Sequence, residues 1–102
     1  MTLQQFVILS RNQAAEGEMT PIGPRDEIIR ELAAYNTAPE RDGEDTLYGP
    51  GVRIELPPDE DPVRQMLITL EEEEIAWLVL VRLAKSFEWR ILDPLTGREL
   101  NP

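Results

Sequence analysis

The chain has 102 residues and a mass of 11.7 kDa, and its 20 acidic residues against 10 basic ones give a formal net charge of −10. A chain of this length can bury one core but not two, so we expect a single domain over residues 1–102. The composition includes no Cys and no His, which excludes disulfides, thiolate nucleophiles, imidazole bases and the usual zinc, haem and iron–sulfur sites. The negative charge disfavours nucleic acid and membranes as direct partners.

Two apolar stretches bear on the cellular location. Residues 1–10 have no basic residue before the apolar run 6–9, unlike a signal peptide. The longest uninterrupted apolar run, residues 75–81, is much shorter than the ~20 residues that span a bilayer. We therefore predict a cytoplasmic protein. No motif indicates a cofactor, and none is expected.

The first two predicted elements are a strand over residues 6–9 and a helix. Helix one begins near Pro24, with Asp26 and Glu27 in the first turn, where the positive end of the helix dipole favours carboxylates. It ends before Pro39. Its apolar stripe consists of Ile28, Ile29, Leu32, Ala33 and Tyr35.

Most of the excess acidic charge lies in the middle of the chain. Residues 37–62 contain eight acidic residues against two basic ones, together with five of the nine prolines. The first part of this segment, residues 37–51, therefore indicates an extended, mobile, acidic Pro/Gly-rich loop. Its last four residues, Tyr48-Gly49-Pro50-Gly51, are typical of a turn that leads into a strand.

Two strands and a second helix follow. Residues 52–56 alternate between apolar and charged, which is typical of a strand with one wet face, and residues 66–68 predict a continuously apolar strand. Thr69 and Glu72 match a capping box that would open helix two, which then extends to about Phe87. Its predicted core stripe consists of Trp77, Leu80, Val81, Ala84 and Phe87. The run 75–81 is also rich in β-branched residues, so a strand remains an alternative there.

The final elements are a strand over residues 89–92, whose Trp89 is assigned to the core, a turn over residues 93–97 and a short arm over residues 98–100. The resulting order, β-α-β-β-α-β, predicts an α+β fold of the ferredoxin-like kind. This is a two-layer sandwich with a mainly antiparallel sheet and two helices on one face. The first and third strands are continuously apolar, which suits the central positions of such a sheet.

The far face of the predicted sheet is apolar at its centre and has no helix to cover it. An exposed apolar face of this kind indicates a contact with another surface. We therefore predict a homodimer packed sheet to sheet. Coverage by the loop at residues 37–51, or by a different protein, is the alternative.

Seven residues are candidates for binding a partner or a ligand. They are Asp42, Glu44, Asp45, Tyr48, Asp59, Glu60 and Asp61. One interpretation is a non-catalytic interaction or dimerisation module whose acidic loop meets a basic protein partner. The alternative is a domain or enzyme that binds a small molecule or divalent cation through loop carboxylates. Asp59 and Asp61 are then the metal candidates, and Tyr48 closes the cleft. No catalytic residue is predicted.

Overall fold

The computed structural model describes residues 4–10, 20–41 and 43–100, and Asp42, one of the predicted site residues, lies outside them. In chain order the elements are β1 Gln4–Leu9, α1 Arg25–Ala33, β2 Thr46–Gly49, β3 Val52–Glu55, β4 Gln65–Leu70, α2 Glu73–Phe87, β5 Arg90–Leu92 and β6 Glu99–Leu100. The described residues thus form an α+β fold, as predicted, with a six-stranded antiparallel sheet and two helices. Neither of these helices is long and apolar enough to cross a membrane.

The sheet has the strand order β2-β3-β4-β1-β5-β6, and every neighbouring pair is antiparallel. β1 and β4 share the longest ladder, with Phe6 opposite Ile68 and Ile8 opposite Met66. Their apolar sequences suit a central position, because a central strand has a neighbouring strand along each of its two edges and its side chains pack against those of both neighbours. β2 and β6 are additional to the four strands of the predicted sandwich.

β2 corrects the prediction that residues 37–51 form one extended loop. Leu47 of β2 lies opposite Ile54 of β3, and both side chains are fully buried. The backbone N–H and C=O of Tyr48 also bond to Ala38, at 2.9 and 3.2 Å. The prolines and carboxylates of the segment gave no indication of this strand. A single buried leucine and backbone pairing on both sides nevertheless hold it against the core.

Helix α2 begins later than the predicted capping box. Thr69 is fully buried in β4, and its Oγ1 accepts a hydrogen bond from Gln5 Nε2 at 3.1 Å. The Gly51 carbonyl instead accepts the N–H groups of Glu71 and Glu72, at 2.8 and 3.1 Å, just before the first helical residue. The capping-box prediction was wrong because β4 pairs with strands on both sides and continues past its predicted end.

The type and end of α2 and the last two strands agree with the prediction. Residues 75–81 are helical rather than a strand, and α2 ends at Phe87. Glu88 follows in the left-handed conformation, with φ 57°, and its N–H bonds to the Ala84 carbonyl. Trp89 is buried, and the predicted arm forms β6, which pairs with β5.

Both helices and one face of the sheet enclose a hydrophobic core. Along β1 and β4 the alternate residues Phe6, Ile8, Met66 and Ile68 are buried. The helix residues buried in the same cluster are Ile28 and Leu32 of α1 and Ala76, Leu80, Leu83 and Ala84 of α2. The intervening strand residues therefore lie on the opposite face of the sheet.

Candidate functional site

Several of the predicted acidic site residues lie around the first residue of α1. The Arg25 side chain is only 15% exposed, and its guanidinium donates hydrogen bonds to the Pro57 carbonyl, at 2.7 Å, and to the Asp45 carboxylate. The backbone N–H of Arg25 donates to Asp61 Oδ1 at 3.1 Å. One arginine therefore joins α1 to the segment before β2 and to the connection between β3 and β4.

The other predicted site residues lie in local turns and on a strand. Glu60 Oε1 accepts the Arg64 N–H at 2.6 Å, and Asp59 adopts a positive φ of 58°. Glu44 is half-buried just before β2. Tyr48 of β2 is 40% exposed and lies on the sheet face opposite to the core, because its neighbour Leu47 faces inward.

The structure thus brings Asp45, Asp61 and the backbone of the 57–60 turn together at Arg25. The ion pair between Arg25 and Asp45 contributes little to stability on its own, because the Asp45 side chain is 43% exposed. The hydrogen bond from Arg25 to the Pro57 carbonyl matters more, because it satisfies a backbone acceptor. In the described part of the chain no group of three or more carboxylates could hold a metal ion. A cation site at Asp59 and Asp61, and a basic partner for the acidic segment, remain predictions.

The sheet face that was predicted to pair with a second copy has a narrow apolar strip at its centre. The strip consists of Val7, Leu9, Leu67 and Leu92, all half-buried. Ion pairs border it: Arg53 with Glu55 at 3.2 Å and Glu71 at 3.6 Å, and Arg90 with Glu99 at 2.8 Å. Charged flanks of this kind are usual on the solvated face of an antiparallel sheet. The sheet-to-sheet dimer remains a prediction.

Helix α2 exposes more apolar surface than this strip. Of the five large hydrophobic side chains exposed among the described residues, three lie on α2: Leu78 at 74%, Ile75 at 45% and Trp77 at 37%. Trp77 contacts the Phe6 ring at 5.5 Å, but it is not the core residue that the predicted stripe made it. Leu80 and Ala84 of that stripe are buried, but the helix also buries Ala76 and Leu83, which the stripe did not include.

A groove of about 530 Å³ lies between α2, the C-terminal end of α1 and the β2–β3 turn. Its apolar lining includes Ala34, Tyr35, Pro50, Ile75, Leu78, Val79 and Leu83. Glu74 and Arg82 also line it. We call the exposed side of the helix, formed by Glu74, Ile75, Leu78 and Arg82, the outer face of α2.

Gly51 sets the position of this helix against the β2–β3 turn. It has a φ of +70°, and a Cβ there would lie 3.1 Å from the Glu72 carbonyl oxygen and 3.2 Å from the Ala76 nitrogen. Only glycine combines that backbone conformation with so close an approach. The Gly51 carbonyl can therefore accept hydrogen bonds from the N–H groups just before α2, and the turn also forms one wall of the groove.

A sequence signal for the outer face of α2 exists in the run 75–81, which is apolar without interruption. Successive residues of an α-helix are turned by about 100°, so seven consecutive apolar residues cover every side of the helix. Such a helix is typically buried all round. In this fold the sheet covers only one side of α2. The prediction of a single apolar stripe therefore underestimated the apolar surface of the helix.

A second cavity, of about 340 Å³, lies between the beginning of α1 and the end of α2. Ile28, Leu32, Phe87 and Trp89 are among its lining residues, and the last two rings stack with centroids 5.1 Å apart. None of the six predicted site residues that the structure describes lines this cavity or the groove beside α2. A ligand site with Tyr48 as its lid therefore corresponds to neither.

The region around Arg25 and the outer face of α2 thus differ in how far their side chains contact other parts of the chain. Polar groups around Arg25 bond to one another within the chain, whereas aliphatic side chains on the outer face of α2 remain exposed. The chain matches no protein-family model, no curated protein and no solved structure among those with which it was compared. An apolar patch with a few charges at its rim has the chemistry of a protein–protein contact.

Proposed function

We propose that the protein is a non-catalytic interaction module that binds another protein chain through the outer face of α2. The observation that carries this proposal is the exposure of Leu78 and Ile75 beside the apolar groove. Full burial of such a side chain contributes about 1.5–3 kcal/mol. A partner that covers both residues gains part of this contribution, in proportion to the exposed fractions of 74% for Leu78 and 45% for Ile75.

Shape and charge support a protein partner over a small molecule. The groove lies on the outside of a helix and is lined mainly by apolar side chains, together with Asn36, Glu74 and Arg82, whereas small-molecule sites enclose most of the ligand. The four glutamates at residues 71–74 are all exposed at the beginning of α2. They support a partner that brings basic groups to that end of the groove.

The proposal includes the finer features predicted from the sequence. The order β3-β4-β1-β5 supports a ferredoxin-like core to which β2 and β6 add edge strands. Self-association, a basic protein partner and a cytoplasmic location belong to the same proposal. The acidic segment takes a secondary part in it, since Asp45, Glu60 and Asp61 already accept hydrogen bonds from within the chain.

Site-specific photocrosslinking in cells that express the protein tests this proposal. A photoreactive residue replaces Leu78 in one variant and Leu95 in the matched control, because Leu95 is 93% exposed but lies in the β5–β6 turn. We expect a discrete protein adduct from position 78, its loss when Ile75→Ser is added, and no such adduct from position 95. The same adducts from both positions, or none from position 78, would contradict the proposal.

A further inference from the structure

We propose that a second copy of this chain covers the outer face of α2, with the two α2 helices antiparallel about a twofold axis at Leu78. This inference rests on the proposed function, because it names the occupant of the same surface. It moves the predicted homodimer contact from the sheet to the helix. Charged and apolar residues are spaced symmetrically around Leu78.

Charged residues occur at equal distances on either side of Leu78 and have opposite signs. Glu74 and Arg82 are each four residues away, and Glu71 and Lys85 are each seven residues away. In an antiparallel pair centred on Leu78, Glu74 of one copy meets Arg82 of the other. Lys85 lies near the acidic start of the other α2 helix, where Glu71 precedes the helix and pairs with Arg53 at 3.6 Å. A parallel pair would instead place like charges together, at a cost in free energy.

Glu74, Leu78, Arg82 and Lys85 project from one side of α2, because spacings of three, four and seven return to the same side of a helix. Glu74, Leu78, Arg82 and Lys85 are all exposed. In the described part of the chain Glu74, Arg82 and Lys85 form no ion pair, unlike the arginines that border the sheet strip. Their charges are therefore free to pair with a second copy.

The apolar residues follow the same symmetry. Ile75 and Val81 each lie three residues from Leu78, so the exposed Ile75 of one copy meets the half-buried Val81 of the other, with the two Leu78 side chains at the axis. A contact between two helices of about 22 Å length is small. Each copy also carries a net charge of −10, which repels the other. We therefore expect a weak dimer that forms with rising concentration.

Charge exchange measured by sedimentation equilibrium, at concentrations up to about 1 mM, tests the inference. Glu74→Arg or Arg82→Glu alone sets like charges against each other and should weaken dimerisation at least about fivefold. The double variant Glu74→Arg/Arg82→Glu restores both pairs. An equimolar mixture of the two single variants restores them as well, and both samples should return to within about twofold of the wild-type constant.

Control variants separate pairing from net charge. Glu73→Arg changes the formal charge from −10 to −8, as Glu74→Arg does, but position 73 lies on another side of the helix. Arg98→Glu changes it from −10 to −12, as Arg82→Glu does, in the C-terminal hairpin. We expect each control variant to change the dimerisation constant less than the variant with which it is matched. Salt is a poor probe, because it screens the ion pairs and the overall repulsion together.

Three results would overturn the inference in distinguishable ways. A wild-type protein that is monomeric at about 1 mM excludes the second copy, while the proposed function stands if the crosslink from position 78 joins a different protein. A dimer that survives Leu78→Asp uses another surface. A dimer that Leu78→Asp dissociates but that responds equally to Glu74→Arg and Glu73→Arg does not have the antiparallel register.

Discussion

The acidic residues 37–62 and the apolar residues 75–81 are the two most biased regions of the sequence, and the fold treats them differently. In the acidic region, Arg25 binds a carboxylate and a backbone carbonyl, so part of the charge serves to hold α1 in place. In α2, Leu78 remains 74% exposed although Ala76 and Leu80 of the same helix are buried. The difference shows that composition identifies unusual regions, whereas contacts decide which of them is open to a partner.

Substitutions on the buried and exposed sides of α2 should show the largest difference in stability among the variants considered. Leu80 is 1% exposed and Leu78 is 74% exposed on the same helix. Leu80→Ala should lower the free energy of unfolding by about 2–5 kcal/mol, because it leaves a cavity. Leu78→Ala should change it by less than about 0.5 kcal/mol. Urea denaturation at low micromolar protein concentration measures both, and similar losses would mean that Leu78 is not on an outer face.

The turn that supports α2 provides a second matched pair. Gly51 and Gly97 have φ values of +70° and +73°, but only Gly51 has atoms within 4 Å of an added Cβ. Gly97→Ala should cost about 1 kcal/mol for the backbone conformation alone, and Gly51→Ala at least about 2 kcal/mol because of the added clash. Equal losses in thermal or urea unfolding would show that the turn does not approach α2 closely.

Arg25→Gln tests the structural role of the acidic region. The Pro57 carbonyl and the Asp45 carboxylate both lose their guanidinium donor, so we expect a loss of about 1–2 kcal/mol in the free energy of unfolding. Arg30→Gln, in the exposed last turn of α1, is the control and should cost less than about 0.5 kcal/mol. If the two variants were equally stable, the contacts of Arg25 would not matter to the fold.

Divalent cations should have the smallest effect. Screening of the net charge of −10 raises the unfolding midpoint, but Ca²⁺ or Mg²⁺ should raise it no more than NaCl of matched ionic strength does. Thermal unfolding with and without chelator measures the difference. A saturable rise that only the divalent cation produces would instead assign a binding role to the acidic region.

Much of the framework could be predicted because strong local signals agreed with the tertiary contacts. The apolar runs at residues 6–9 and 66–68 are the central strands β1 and β4, and α2 ends at Phe87. Trp89 is buried and the C-terminal arm pairs with β5, both as predicted. In each case apolar patterning or turn residues coincide with burial or pairing in the structure.

The missed features depend on contacts between distant parts of the chain. β2 forms because Leu47 packs into a core that its own segment does not reveal, and Thr69 belongs to β4 because strands lie on both sides of it. Arg25 was not singled out, since its partners lie 20 residues or more along the chain. The outer face of α2 was missed because a one-stripe interpretation assigned Trp77 to the core.

A dilution series of ¹H–¹⁵N NMR spectra would test most directly whether the outer face of α2 is the interaction surface. We predict that, as concentration rises, amide signals shift at Ile75, Leu78 and Arg82 and in the adjoining Tyr35 segment, while those of the sheet strip stay constant. Shifts centred on Val7 and Leu67 would place the contact on the sheet and contradict the account.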